Sequence, residues 1–261
     1  ADAVWVEDVG EVGEATFQAL RKFLLYGTKA KMENCGESWG LLLVSGPKSA
    51  EAVAAAFGIE VRALQLLHTL PATIGGQQGL ILRTEETGEQ DFEVLLPADA
   101  VPAAWNQLMT SGAPFGIKPV GAQARELLRI EAGLPKAGPD LNEEIVPPEA
   151  NLEGKAFSLS KGCYPGQEVV ARMDTYGNVR RHLVGLIIQD KTVPPAGSKL
   201  FSGDREVGWV SSAVFSPQRN AALAFGFPLR DFSAPDTTLT VEVAGTRHQA
   251  TVHALPFQKH S

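Results

Sequence analysis

Cysteine is scarce in this chain: only Cys35 and Cys163 occur among 261 residues. Two thiols so far apart make no disulfide framework, although a single bridge between them is possible on paper. A reducing, cytoplasmic setting is the simpler expectation. Long hydrophobic runs are also missing. No apolar stretch approaches the roughly 20 residues that cross a bilayer. The opening "ADAVWVEDVG" has neither an initiating methionine nor a signal peptide, as in a trimmed chain. A membrane partner is therefore not expected. Positive charge is in short supply: 23 Lys and Arg against 30 Asp and Glu leave a net charge of −7. That balance disfavours direct binding to nucleic acid, which needs a basic footprint. The one short basic group, Arg180, Arg181 and His182, is too small to change this.

Five histidines are present, and none pairs with another His, Cys or carboxylate at a metal-ligand spacing, so no metal site is expected. The glycines form neither GxGxxG nor a P-loop, which leaves nucleotide phosphate binding without support. Repeats and low-complexity tracts are absent. What remains is the composition of an ordinary globular protein, with 44% apolar and 20% charged residues.

Residues 3 to 6 read as a short strand. In "EATFQALRKFLLY", residues 14 to 26, the residues Phe17, Leu20, Phe23 and Leu24 share one helical face. "GLLLVSG" reads as a buried strand, and "PKSAEAVAAAFG" as a helix punctuated by Pro47 and Gly58. "GLILRT" and "DFEVLLP" read as strands joined by the hairpin-like "EETGEQ". Helices are expected at 99–110 and 120–132. The segment 134–151 has four prolines and little periodicity, as expected of a long ordered loop, and such loops are often functional. After Gly177 six β-rich runs follow, from "HLVGLIIQ" to "RHQATVHAL", with Gly and Pro about every 8–12 residues. The fold class is α+β, with a small antiparallel β-barrel or sandwich at the C-terminus.

The chemistry is concentrated in "SLSKGCYPGQEVVARMDTYGN", residues 158 to 178. Gly162 and Gly166 permit backbone angles closed to other residues. Residues after the turn open either a helix or a strand. Cys163 near a helix N-terminus, with Lys161 and Arg172 close by, would gain thiolate character, and Glu168 would oppose it. Gln167 and Glu168 suit a heterocycle that carries adjacent N–H donors and a carbonyl. The competing reading makes Cys163 a small buried residue in a tight turn. Glu149, in "IVPPEANL", is a carboxylate in a loop stiffened by two prolines; its competing reading is a solvated surface group. Cys35, in "MENCGES", is incidental.

"KGCYPGQE", followed by "VVARM" and Gly177, resembles the signature of the YgfZ-type folate-binding proteins, relatives of the glycine cleavage T-protein, the aminomethyltransferase. "LRIEAGLPKAGPDL" resembles the "R-x-E-x-G-x-P" segment of that superfamily, "VPPEANL" the stretch after it, and "ALRKFLLYGTKAKME" an earlier helix-to-strand passage. The resemblance implies a T-protein-like fold: an α+β folate cradle over 1–133, a loop and motif segment over 134–178, and a C-terminal barrel over 179–261. It implies tetrahydrofolate or a one-carbon derivative as ligand. It also implies a role in iron–sulfur cluster assembly or repair, with iron–sulfur enzymes as partners and effects on tRNA modification. The alternative is a folate-dependent aminomethyltransferase. The family cysteine falls on Cys163, flanked by Lys161 and Arg172. Cofactor contacts fall on Glu149, Tyr164, Gln167, Glu168 and Arg181, with Glu149 at the pterin-binding position. A family segment with a "FLQGQLTND"-like helix and a catalytic aspartate has no counterpart in this sequence: either this chain lacks its N-terminal portion or the cradle is abbreviated.

Overall fold

A computed structural model describes residues 4–8, 13–24, 26–164, 166–176 and 179–257, with backbone alone for 174–176. Gly177 of the motif lies outside the described residues. The chain divides into two compact units, residues 1–119 and 120–261.

The first unit is built on a four-stranded antiparallel sheet. Its strands are β1 (Trp39–Ser45), β2 (Thr69–Ile74), β3 (Gln77–Thr84) and β4 (Asp91–Pro97), in the order β1-β4-β3-β2. Helices α2 (Ser49–Phe57) and α3 (Val101–Ser111) pack on it, and Val53, Ile81, Phe92, Val94 and Leu96 are wholly buried in this core. Each such side chain contributes about 1.5–3 kcal/mol of apolar transfer. α2 ends on Gly58 at φ 71°, the left-handed cap that glycine allows without strain. The β3–β4 turn is held from inside. The buried Asp91 carboxylate accepts from the backbone N–H of Glu86 and Thr87 at 2.7 and 2.8 Å, and from the Thr87 hydroxyl at 2.8 Å.

Three sequence expectations are corrected here. Residues 4–8 form no strand. Helix α1 (Gly13–Arg21) stops short of residue 26 and has no buried residue; Leu20 and Phe23, read from the sequence as part of one helical face, are exposed. β2 was not anticipated, because Pro71 interrupts it. Pro cannot donate to a ladder and is tolerated at a sheet edge, which is where β2 lies.

The second unit begins with α4 (Ala122–Glu131), continues through the long 134–166 loop and α5 (Gln167–Tyr176), and ends in a closed six-stranded antiparallel barrel. Its strands are β5 (Val184–Ile188), β6 (Lys199–Ser202), β7 (Arg205–Ser216), β8 (Ala221–Gly226), β9 (Thr238–Val243) and β10 (Thr246–His253), ordered β10-β5-β8-β7-β6-β9. The six β-rich runs of the sequence correspond to these six strands. The expected first boundary at 133 differs from the structural one at 119, because α4 packs on β7 and β8 of the barrel. Among the described residues no helix is long and apolar enough to cross a membrane.

A buried polar hub fastens α4 and the loop to the barrel. Arg129 is bonded to Asp140 at 2.8 Å, to Glu126 at 2.5 and 3.0 Å, and to the Leu134 carbonyl at 2.5 Å. Burial alone would lower the Arg129 pKa, but Glu126 and Asp140 outweigh it and the net shift is upward. Asp140 also accepts from the Ser211 and Ser212 hydroxyls at 2.6 and 2.7 Å. Consecutive strand residues normally point to opposite faces. A register shift between Val210 and Ser212 breaks that alternation, so both serines reach one carboxylate. Glu131 accepts from Ser216 at 2.7 Å.

Candidate functional site

Glu149 sits in a knuckle made by the two prolines before it. The Pro147 carbonyl accepts from Ala150 at 3.2 Å and from Leu152 at 3.3 Å, and the Val146 carbonyl accepts from Glu149 at 2.9 Å. Fixed proline φ angles pre-set this turn. The knuckle is then stapled to the lead-in of β5. Leu183 N–H donates to the Glu149 carbonyl at 2.7 Å, and the Asn151 amide donates to the Leu183 carbonyl at 2.8 Å. Asn151 takes φ 56°, a left-handed angle that asparagine tolerates.

Glu149 is only 8% exposed, so the solvated-loop reading does not hold. Among the described residues its carboxylate accepts one hydrogen bond, from Val146 N–H at a long 3.4 Å. A carboxylate has room for about four, which leaves acceptor capacity for a ligand. His182 is near enough to feel both Glu149 and Arg230. Burial first, and then Arg230, lower its pKa, while Glu149 raises it less. The His182 ring has no described hydrogen bond.

The motif turn leads into α5, so the residues after it form a helix. Gly166 takes φ 86°, open to glycine and strained for other residues. Gln167 braces the turn: its side-chain oxygen accepts from Tyr164 N–H at 3.0 Å. The Lys161 ammonium lies 4.6 Å from the centre of the Tyr164 ring. Glu168 and Arg172 pair with each other at 2.6 Å on the exposed face of α5. Cys163 is exposed, which overturns the buried-turn reading, and it lies before the first turn of α5. No described hydrogen bond joins it to Lys161 or Arg172. Arg181 stacks over Trp209 at 4.9 Å on the barrel side, with its Nε buried and without a hydrogen-bond partner among the described residues.

A cleft of about 320 Å³ runs between these parts, lined by Pro148, Asn151, Phe157, Leu159, Val170 and His182, among others. It links the Glu149 knuckle to α5 through Val170, the helix's buried anchor. The structure thus brings Glu149 beside His182, and Tyr164 beside Lys161 and Gln167. It pairs Arg172 with Glu168, and holds Arg181 on β7. His182 is the site residue that sequence reasoning undervalued. A lone histidine has no spacing partner, and only the staple between the knuckle and β5 gives it a role. Among the described residues no cluster of His, Cys, Asp or Glu could hold a metal ion.

Residues 3–159 match the family described as the GCVT N-terminal domain, and residues 181–259 match the glycine cleavage T-protein C-terminal barrel domain. The chain is 33% identical over 234 residues to an aminomethyltransferase of Saccharopolyspora erythraea, covering 88% of this chain and 63% of that protein. It is 32% identical over 246 residues to an aminomethyltransferase of Prosthecochloris aestuarii, covering 94% and 67%. The crystal structure of the glycine cleavage system aminomethyltransferase T from Bartonella henselae superimposes with a TM-score of 0.82 at 27% identity, over 95% of this chain and 66% of that one. The chain spans 63% and 67% of the length of the two curated relatives named here.

Proposed function

Because this chain belongs to the glycine cleavage T-protein family, we propose that it binds tetrahydrofolate and takes part in one-carbon transfer on it, as an aminomethyltransferase-type protein. The observation that carries the reading is Glu149. A buried carboxylate with one long hydrogen bond, clamped by the Leu183 staple, is preorganised for a flat ligand edge that offers two N–H donors. The amino and ring N–H groups of a reduced pterin are such an edge. His182 adds a second polar group beside the carboxylate. The relatives carry the aminomethyltransferase name, which supports the transfer half of the proposal. In the transfer itself, the chain's part is to bind and orient the pterin. Titration with tetrahydrofolate tests this. Glu149→Gln should weaken binding about tenfold or more, since it exchanges a charge-assisted bond for a neutral one. Equal affinity in the two proteins would sink the assignment.

A second reading is favoured by the exposed thiol of the complete "KGCYPGQE" signature. In it the chain is a YgfZ-type accessory protein in a cytoplasmic setting, supporting iron–sulfur enzymes, with Tyr164, Gln167 and Arg181 completing the folate contacts. Lys161 and Arg172 would serve the thiol or the carboxylates of the folate tail. The two readings separate cleanly. Measurable aminomethyl transfer that survives Cys163→Ala supports the first. Loss of iron–sulfur enzyme activity with Cys163→Ala, without any transfer activity, supports the second.

A further inference from the structure

A second, larger cleft of about 470 Å³ opens within residues 120–261. Five segments converge on it: the exit of α4 at 132–135, the loop at 150–155, the lead-in to β5 at 182–184, a turn at 233–235, and the end of β10 at 253–256. Its volume falls in the roughly 300–1,000 Å³ range of small-molecule sites. The walls are fixed by close packing. Gly133 takes φ 74°, and a Cβ there would lie 3.1 Å from Leu255 and Pro256, so only glycine lets these segments meet. Phe257 N–H donates to the Glu131 carbonyl at 3.0 Å, and the Asn151 amide fixes Leu183 at 2.8 Å.

The lining has a clear chemical sense. Leu152, Leu183 and Leu255 supply apolar surface, while Lys155, His182 and His253 are its ionisable groups. No carboxylate is among the lining residues. His253 stacks on Phe257 at 5.3 Å, and its Nδ1 lies 2.5 Å from the Ala254 carbonyl. A carbonyl cannot donate, so Nδ1 carries a proton and Nε2 of the neutral ring is an acceptor. The His182 ring lacks a described partner, and it feels Arg230 more strongly than Glu149. The cleft is therefore apolar in body, with the Lys155 ammonium and two imidazoles at its polar edge.

We propose that this cleft is a second small-molecule site, which takes an organic carboxylate with a ring-sized apolar body. Lys155 meets the charge, the His182 ring donates a hydrogen bond to it, and the three leucines enclose the body, with His253 lining one wall. The cleft shares Asn151 and His182 with the smaller cleft beside Glu149, and differs from it in Lys155, His253 and the three leucines. Calorimetric titration of the full chain with benzoate tests it, with inorganic phosphate as the competing bare anion. Saturable benzoate binding is expected, weakened about tenfold by Lys155→Met, the loss of one charge-assisted bond. Cys163→Ser should leave it unchanged, and phosphate should not compete. Lys155 is exposed, so Lys155→Met keeps the fold, and an unchanged thermal midpoint verifies this. No saturable binding, equal binding in Lys155→Met, or displacement by phosphate at matched concentration would each overturn the proposal.

Discussion

Asp140→Asn probes the hub that holds the Glu149 loop against the barrel. Asp140 is fully buried and accepts four hydrogen bonds: two serine hydroxyls on Oδ1, and Arg129 Nη1 and Lys136 N–H on Oδ2, the last two at 2.8 and 3.0 Å. Asparagine keeps the shape but has one acceptor oxygen. With that oxygen towards the serines, its amide faces two donors that cannot turn. In the opposite orientation the amide faces two hydroxyls that can turn to accept, so this flip is favoured. Either way the anion opposite Arg129 is gone. Removing one partner of a buried pair costs about 3–5 kcal/mol. Arg129 keeps Glu126 and the Leu134 carbonyl, which places the loss near the lower bound, about 3 kcal/mol. Asp140→Ala also strands both hydroxyls and the Lys136 N–H, and belongs near the upper bound, about 5 kcal/mol. Against a domain stability of roughly 5–15 kcal/mol either change is large. Trp209 is the one tryptophan after residue 119, so its fluorescence reports this unit once Trp5, Trp39 and Trp105 are changed to Phe. Urea unfolding in that background gives the difference directly. A loss under about 1 kcal/mol would refute the hub, because that is the scale of an ordinary single hydrogen bond.

Three further outcomes follow from the same geometry. Gly166→Ala forces a left-handed angle on a residue with a Cβ; the cost is about 1–2 kcal/mol, and hydrogen exchange should show the first turn of α5 loosening while the barrel stays protected. Gly208→Ala drives a Cβ into the Phe227 carbonyl and Pro228 of the barrel; unfolding should show about 1–3 kcal/mol of overpacking, and an unchanged midpoint would contradict the packing described. His182 has a folded pKa below its unfolded one, so its contribution is present above about pH 6.5 and is lost as pH falls through the lower folded value. Stability measured between pH 7 and 5 should therefore fall less steeply in His182→Asn than in the parent protein.

The barrel was legible because each strand is a short β-rich run closed by Gly or Pro, and local pattern decides that. α2 was legible for the same reason, with Gly58 marking its end. β2 was hidden because Pro71 argues locally against a strand, and only its edge position makes it tolerable. The periodicity of 120–132 announced α4 but not its neighbours; the Arg129–Asp140–serine hub binds it to the barrel, and that hub depends on a strand irregularity at Val210–Ser212 that no pattern reveals. Likewise, "IVPPEANL" marked Glu149 as a fixed carboxylate, but its burial comes from Leu183, 34 positions away in the chain.

Two of the segments that carry the family resemblance perform different physical work. In "LRIEAGLPKAGPDL" the polar side chains Arg129, Glu131 and Asp140 are buried and bonded inward, and Gly133 makes room for Leu255. That segment is explained by folding alone. In "KGCYPGQE" the division is the reverse. Gly166 and the Gln167 oxygen build the turn, and Val170 pins the helix that follows. Lys161, Cys163, Glu168 and Arg172 remain on the surface and contribute little to stability, since exposed ion pairs such as Glu168–Arg172 are worth at most about 1 kcal/mol. Folding therefore does not account for an exposed thiol presented by a braced glycine turn. That contrast is why Cys163 belongs to the functional question and Asp140 to the structural one, and it predicts opposite phenotypes: Cys163→Ala should spare the unfolding midpoint, and Asp140→Asn should lower it.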